Sequence, residues 1–382
     1  MKNNILFFAA IFMMMGVMTS CHKDDPVMTA DETQKAILEQ YVNHTIAPTY
    51  SNLANNAEQL VNDLQTLRAD RTQGNLNRTC ETFLAARAWW ERSEAFLFGA
   101  ASDFGIDPHI DSWPLDVDAF NTMMTNTAQI QAMDAEDGDE YAGEKLGNSL
   151  LGFHGIEYIL FSNGAPKSVS EITDLQLIYA IAVAGDLRNR CYQLEVSWIG
   201  NAAPKSHRDK VEDLELNTTV NGGDFSYGNN LTKSGTIGST YPSTASGLMA
   251  IIDGCKTIAD EVGTSKIGKP YNGEDPNYIE SPYSHKSIED FYNNIISIEN
   301  AYYGGVEGQQ SATASLHAYI LSLDAGLDLR VINAINNAKT KIHAMPAPFV
   351  QNYTNAANGE AIAACQALDD ILSEVNALIS KQ

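Results

Sequence analysis

Residues 146–161 read LGNSLLGFHGIEYILF, and this stretch decides the fold. Leu146, Leu150, Leu151, Phe153, Ile156, Tyr158, Ile159, Leu160 and Phe161 leave almost no polar face, so the segment predicts a helix buried on all sides. Its helical pattern runs from Glu144 to Phe161, and Ser162-Asn163-Gly164 ends it, with Pro166 beyond. Only His154 and Glu157 can titrate in its interior. They stand three residues apart, which puts imidazole and carboxylate side by side on one face. An unpaired buried carboxylate costs several kcal/mol, so Glu157 needs a partner. That partner is either His154 alone, in a structural pair, or a metal ion held by both, as in the Glu-x-x-His ligand sets of helical bundles.

Toward the N-terminus, Leu76, Cys80, Phe83, Arg87, Trp90, Glu94 and Leu97 step by fours and threes and share one predicted helix face. Arg87 and Glu94 thereby take inward positions among apolar neighbours. Either they pair with each other across two turns, or they join His154 and Glu157 at a common interior site. Between the two helices, GAASDFGIDPHIDSWPLDVD (99–118) reads as a loop. Its Asp116 follows Trp113-Pro114, a rigid apolar anchor, and is the favoured further oxygen ligand. Most of the other acids there are expected in solvent or in turns.

Helical patterns also cover 32–69 with an interruption at Pro48, then 172–198, 247–262, 288–303, 312–344 and 359–379. Ser287-Ile288-Glu289-Asp290 has the form of an N-terminal cap. Strand-like alternation is scarce. The economical reading is an all-α protein of two helical bundles, residues 31–200 and 201–382, whose similar helix counts suggest an old duplication. Residues 201–246, rich in Gly, Asn, Ser and Thr, read as a long polar connection holding a short hairpin. Cys80, Cys191, Cys255 and Cys365 are widely spaced within apolar patterns and are expected as buried thiols.

The chain opens with Lys2, an apolar run from Ile5 to Thr19 and then Cys21. This predicts a signal peptide over residues 1–20, with Cys21 in a lipobox-like context as the acylated first residue and residues 21–30 as its tether. His22-Lys23-Asp24-Asp25 resembles the tether that sends lipoproteins to the cell surface, so an outer-membrane location, facing outward, is expected. No later apolar run is long enough to span a bilayer, and the lipid is the expected membrane anchor. A formal net charge of −24 argues against nucleic acid as a partner and favours cations.

WERSEAFLFG (90–99), IDSWPLD (110–116), GFHGIE (152–157) and SPYSHKSIEDFYNNIISIENAYYGG (281–305) together resemble the imelysin-like family, in the same order and over nearly the whole mature chain. The resemblance implies two all-helical domains with the conserved site near their interface, and a role in bacterial iron uptake, with outer-membrane uptake components as partners. It also implies a metal-ligand set of Glu94, Asp116, His154 and Glu157. Arg87 and Trp113 are expected beside that set, and by resemblance Ser284, His285 and Tyr302 close the cleft from the second domain.

Two functions compete, with a third behind them. The first is binding of iron, or an iron-bearing ligand, between the domains; carboxylates and imidazole suit iron and equally zinc or another divalent metal. The second is the metallopeptidase activity for which the family was named. A hydrolytic zinc site needs about three protein ligands, an open position and a base. The chain has no His-Glu-x-x-His or inverted motif, and residue 158 is tyrosine, which places binding ahead. The third is an organic or glycan ligand stacked on Trp89, Trp90 and Trp113, with a structural His-Glu pair.

Overall fold

The computed structural model describes residues 28–382, so the segment expected to be a signal peptide and Cys21 lie outside the described residues. The first half is built on Ala47–Ala69, which packs against both Gln73–Glu91 and Asp174–Ile199, with the short Gly152–Leu160 helix held against the last two. Thr244–Glu261, Ser287–Tyr303, Ala325–His343 and Ala356–Ile379 form a second bundle. The fold is all-α, as the sequence predicts. Ala30–Tyr41 belongs to the first half by sequence but packs against Thr244–Glu261. A single buried apolar core runs through both halves.

Local physics sets the element ends. The break near Pro48 is a π-helical turn, Val42–Ile46, after which Pro48 stands in the first turn of the next helix, where its missing N–H is no loss. Gln73–Glu91 stops before Glu94, which opens a separate short turn, Glu94–Phe96, so Arg87 and Glu94 do not share one continuous helix face. The 201–246 connection folds into short helices, Lys205–Asp213 and Tyr227–Thr232. The one strand pairing among the described residues lies elsewhere, Phe161–Ser162 against Ala165–Pro166. Asn163 and Gly164 both adopt positive φ there, the Asn-Gly pattern of a tight hairpin turn. Cys80, Cys191, Cys255 and Cys365 are buried free thiols.

The halves meet where Ser287–Tyr303 crosses Gln73–Glu91 and where the Glu94–Phe96 turn rests on Thr244–Glu261. Gly254 permits the second contact, because a Cβ there would lie 2.2 Å from the Ala95 carbonyl oxygen.

Candidate metal centre

The first glycine of Gly-x-His-x-x-Glu acts through backbone approach. Gly152 has φ +70°, and a Cβ on it would lie 1.9 Å from the Ile110 carbonyl oxygen. Only glycine lets the two backbones touch there, and the residue after Ile110 is Asp111. His154 Nε2 consequently reaches Asp111 Oδ1 at 2.9 Å, while its Nδ1 faces Glu157 Oε2 at 3.5 Å. Glu157 is gripped from the second half: the backbone N–H groups of Tyr283 and Ser284 donate to its Oε1 at 3.1 and 2.7 Å.

Around this pair lies a buried charge cluster. Arg87 bonds Asp111 and Glu280, lies 2.5 Å from Glu91 Oε1, and has Asp290 at 3.9 Å. Lys266 Nζ stands 3.2 Å from Glu280, and 3.7 Å from both Glu91 and Glu94. Trp90 donates its indole N–H to Asp111 at 2.7 Å, and Ser281 donates to Asp290 at 2.5 Å. The carboxylates of Glu91, Glu94, Asp111, Glu157, Glu280 and Asp290 are all buried, against Arg87, Lys266 and His154 as the available cations.

This imbalance governs the titration. Burial pulls the His154 imidazole down, but the hydrogen bond to Asp111 and the facing Glu157 carboxylate outweigh it and push the group up to about 9. Burial pushes Asp111 up, yet Arg87 and His154 hold it far below the usual carboxylate range. Burial drives Glu94 and Asp290 well above that range, and raises Glu280 to about 7. Asp107, next to the cluster, is raised to about 7 by burial and then by Asp111. The acids compete for too few counter-charges.

A cation fits this donor set. Asp111, His154 and Glu280 each offer a donor atom within 4.8 Å of the others, and so do Glu91, Glu94 and Asp111. Glu157 Oε2 and Glu280 Oε2 are buried without a hydrogen-bond partner, and Glu91 Oε1 meets only the Arg87 guanidinium. Access is from one side of the interface, through a cleft of about 530 Å³ lined by Trp113, Leu115, Ile279, Tyr283 and Tyr353, with His154 in its wall. Trp113 stands 5.7 Å from the His154 ring, and Lys266 lies over its other neighbourhood at 5.1 Å from the indole centroid.

Residues 46–375 match the family model described as imelysin. The chain belongs to the imelysin family. It is 26% identical over 342 residues to iron-regulated protein A of Synechococcus elongatus, across 88% of this chain and 83% of that protein. Its structure is similar to that of a protein described as an iron-regulated protein A precursor from Parabacteroides distasonis, at TM-score 0.74 and 26% identity, covering 93% of this chain and 97% of the other. An imelysin-like protein from Psychrobacter arcticum shares the fold at TM-score 0.59 and 14% identity, over 93% and 96% of the two chains.

In this imelysin chain, the expected site residues divide. Arg87, His154 and Glu157 meet at the cluster, Glu94 stands at its edge beside Lys266, Trp113 lines the cleft, and Ser284 contributes its backbone N–H. Asp116 does not join them. It is exposed and caps the Val117–Met124 helix, accepting from Ala119 N at 2.8 Å. The loop turns after Trp113, so the inward acid is Asp111. His285 adopts φ 59° and packs on Gly164 of the hairpin, and Tyr302 donates to Asp328 at 2.8 Å in the second bundle. Neither reaches the cluster.

Sequence reasoning missed Glu91, Asp111, Lys266, Glu280 and Asp290. Glu91 stands four residues after Arg87, a spacing that signals an ion pair. Asp290 was legible only as half of a cap, but the helix begins at Ser287 with no side-chain cap at all. Ser287 instead donates to the Glu280 carbonyl at 2.5 Å, and Asp290 points into the cluster. For Lys266 the sequence carries no signal.

Proposed function

We propose that this imelysin is an exported cell-envelope lipoprotein, anchored by Cys21, that binds iron or an iron-bearing ligand at the buried cluster between its halves during iron uptake. One observation carries the reading: six buried carboxyl groups outnumber Arg87, Lys266 and His154, and Glu157 Oε2 and Glu280 Oε2 have no hydrogen-bond partner. Asp111, His154 and Glu280 are the residues that would hold the ion, with Glu157 at the other ring nitrogen of His154. Their hard oxygens with one imidazole nitrogen suit iron, and zinc or another divalent metal as well. A bound cation would take the place of the protons that burial otherwise keeps on these acids. The likeness to iron-regulated proteins of two bacteria supports iron as the first metal to test.

The peptidase reading is weaker. A hydrolytic metal needs an open coordination position and a base free to take a proton. Here the donor set brings a single imidazole, His154, and among the described residues no second histidine joins it. The aromatic cleft is what keeps an organic ligand, including a chelate, in contention.

Metal analysis and calorimetric titration with ferric, ferrous and zinc ions test the proposal on the wild type and on a His154→Ala, Glu157→Ala double variant. Binding lost in the variant is the expected outcome. Absence of binding in the wild type sinks the metal reading and turns the cleft toward organic ligands.

A further inference from the structure

The polar connection contains one feature that the cluster does not explain. Ile237 is fully exposed at the tip of a loop between Gly235 and Gly238. Beside it, Phe225 is half-buried against Gly238, and the Lys233 ammonium lies 4.6 Å from the Phe225 ring centroid. From Phe225 to Ile252 the chain has no Asp or Glu and a single Lys, in a protein of net charge −24. This segment therefore adds no negative charge of its own at an anionic bilayer, with Asp224 and Asp253 at its ends.

Its position in the fold adds the second argument. Gly235 lies against Ser243 and Thr244, and Thr244 donates to Asp31 at 2.7 Å. The Ile237 loop is thus tied to the first turn of the Ala30–Tyr41 helix, where the chain arrives from Cys21. Met28, three residues before Asp31, is also exposed. The ten residues from Cys21 to Asp31 reach at most about 35 Å. At the same end, Gly200 meets Ser226 and Trp198 meets Tyr227. Leu175 stands at the opposite end of Asp174–Ile199, whose 26 residues span about 39 Å.

We infer that the Phe225–Tyr241 loop is a membrane-resting surface: Ile237 enters the bilayer interface beside the anchored N-terminus, with Phe225 at the headgroup level and Lys233 toward lipid phosphates. An apolar side chain at the tip with a cation beside it is the composition that interfacial docking uses. The inference rests on the proposed acylation of Cys21. It gives the body a fixed orientation, with the Leu175 end pointing away from the lipid.

The test uses the full-length acylated chain in vesicles of phosphatidylethanolamine and phosphatidylglycerol with brominated acyl chains. A bimane label is placed on Ile237→Cys or on Leu175→Cys; the four described native thiols are buried. The expected result is a blue shift and at least two-fold quenching at 237, with no change at 175. An unquenched label at 237, or equal quenching at both positions, overturns the orientation. Mass analysis of the mature N-terminus separates the two readings. An acylated chain with an unquenched 237 label refutes only this surface, whereas an unacylated Cys21 removes the anchor and the inference together. Ile237→Asp checks that the loop is peripheral to the fold: it should abolish the vesicle-dependent shift at a label on Phe225→Cys while leaving the melting temperature unchanged, and a retained shift counts against the surface.

Discussion

His154 and His207 are both buried, and each faces a glutamate, Glu157 at 3.5 Å and Glu195 at 2.5 Å. Around His207 the set is closed. Ser51 donates to the other oxygen of Glu195 at 2.6 Å, and Tyr192 stacks flat on the imidazole at 3.8 Å between centroids. Around His154 the set is open: acids exceed cations, oxygens lack partners, and a cleft reaches the ring. A His-Glu pair in a helical core is therefore not a site by itself. Surplus charge and access distinguish one.

Removing a cation from the open set should have the largest effect. Arg87→Met leaves Asp111, Glu91 and Glu280 under-compensated and should destabilise the fold by about 3–5 kcal/mol in urea unfolding. Wild-type stability in that variant would show that the cluster is not held together by charge. Next, His207→Ala should lose about 1–3 kcal/mol by leaving a Glu195 oxygen unpaired, with metal affinity unchanged. His154→Ala should do the reverse for affinity. If calorimetry finds both variants equally impaired in metal binding, the distinction between the two histidines collapses.

Acidity offers a subtler way to sharpen the contrast. His154 is raised in the folded state to about 9, so its contribution to stability is complete below its ordinary value near 6.5 and is lost as pH rises through 9. Asp107 and Glu280, each raised to about 7, are carboxyl groups held protonated by burial; their contribution likewise diminishes as pH climbs from the ordinary carboxyl range through 7. Thermal melts of metal-free protein should therefore show this cluster's share of stability falling as pH rises from the ordinary carboxyl range through about 9, whereas the share of Asp111, held low by Arg87 and His154, is lost only on going more acid than that range. Metal affinity should move the opposite way, because the imidazole must lose its proton to ligate. The smallest effect is expected at Asp116→Ala, about 1 kcal/mol for a lost helix cap, with metal titration indistinguishable from wild type.

The helical fold was legible because burial imposes periodicity, although the expected 144–161 helix is realised only as Gly152–Leu160: Gly147, Asn148 and Ser149 are exposed, and the run from Leu151 to Phe161 is what enters the core. His154, Glu157 and Arg87 were legible for the same reason: a charged residue in an apolar stripe is conspicuous. Glu280 and Lys266 lie in irregular segments or turns, where no period marks the inward direction, so their burial appears only in three dimensions. Asp111 and Asp116 flank the same Trp113-Pro114 pair. The choice between them is made by Gly152 docking on Ile110, a contact between distant parts of the chain that local spacing does not encode.

The grip of the Tyr283 and Ser284 backbone N–H groups on Glu157 makes the cluster a joint property of both halves. Thermodynamic reciprocity then applies: a ligand that binds only when Glu157 is held must tighten the closed arrangement by the same free energy with which closure tightens the ligand. Separating the halves would therefore weaken any ligand held at the cluster, with no chemical change in that ligand required.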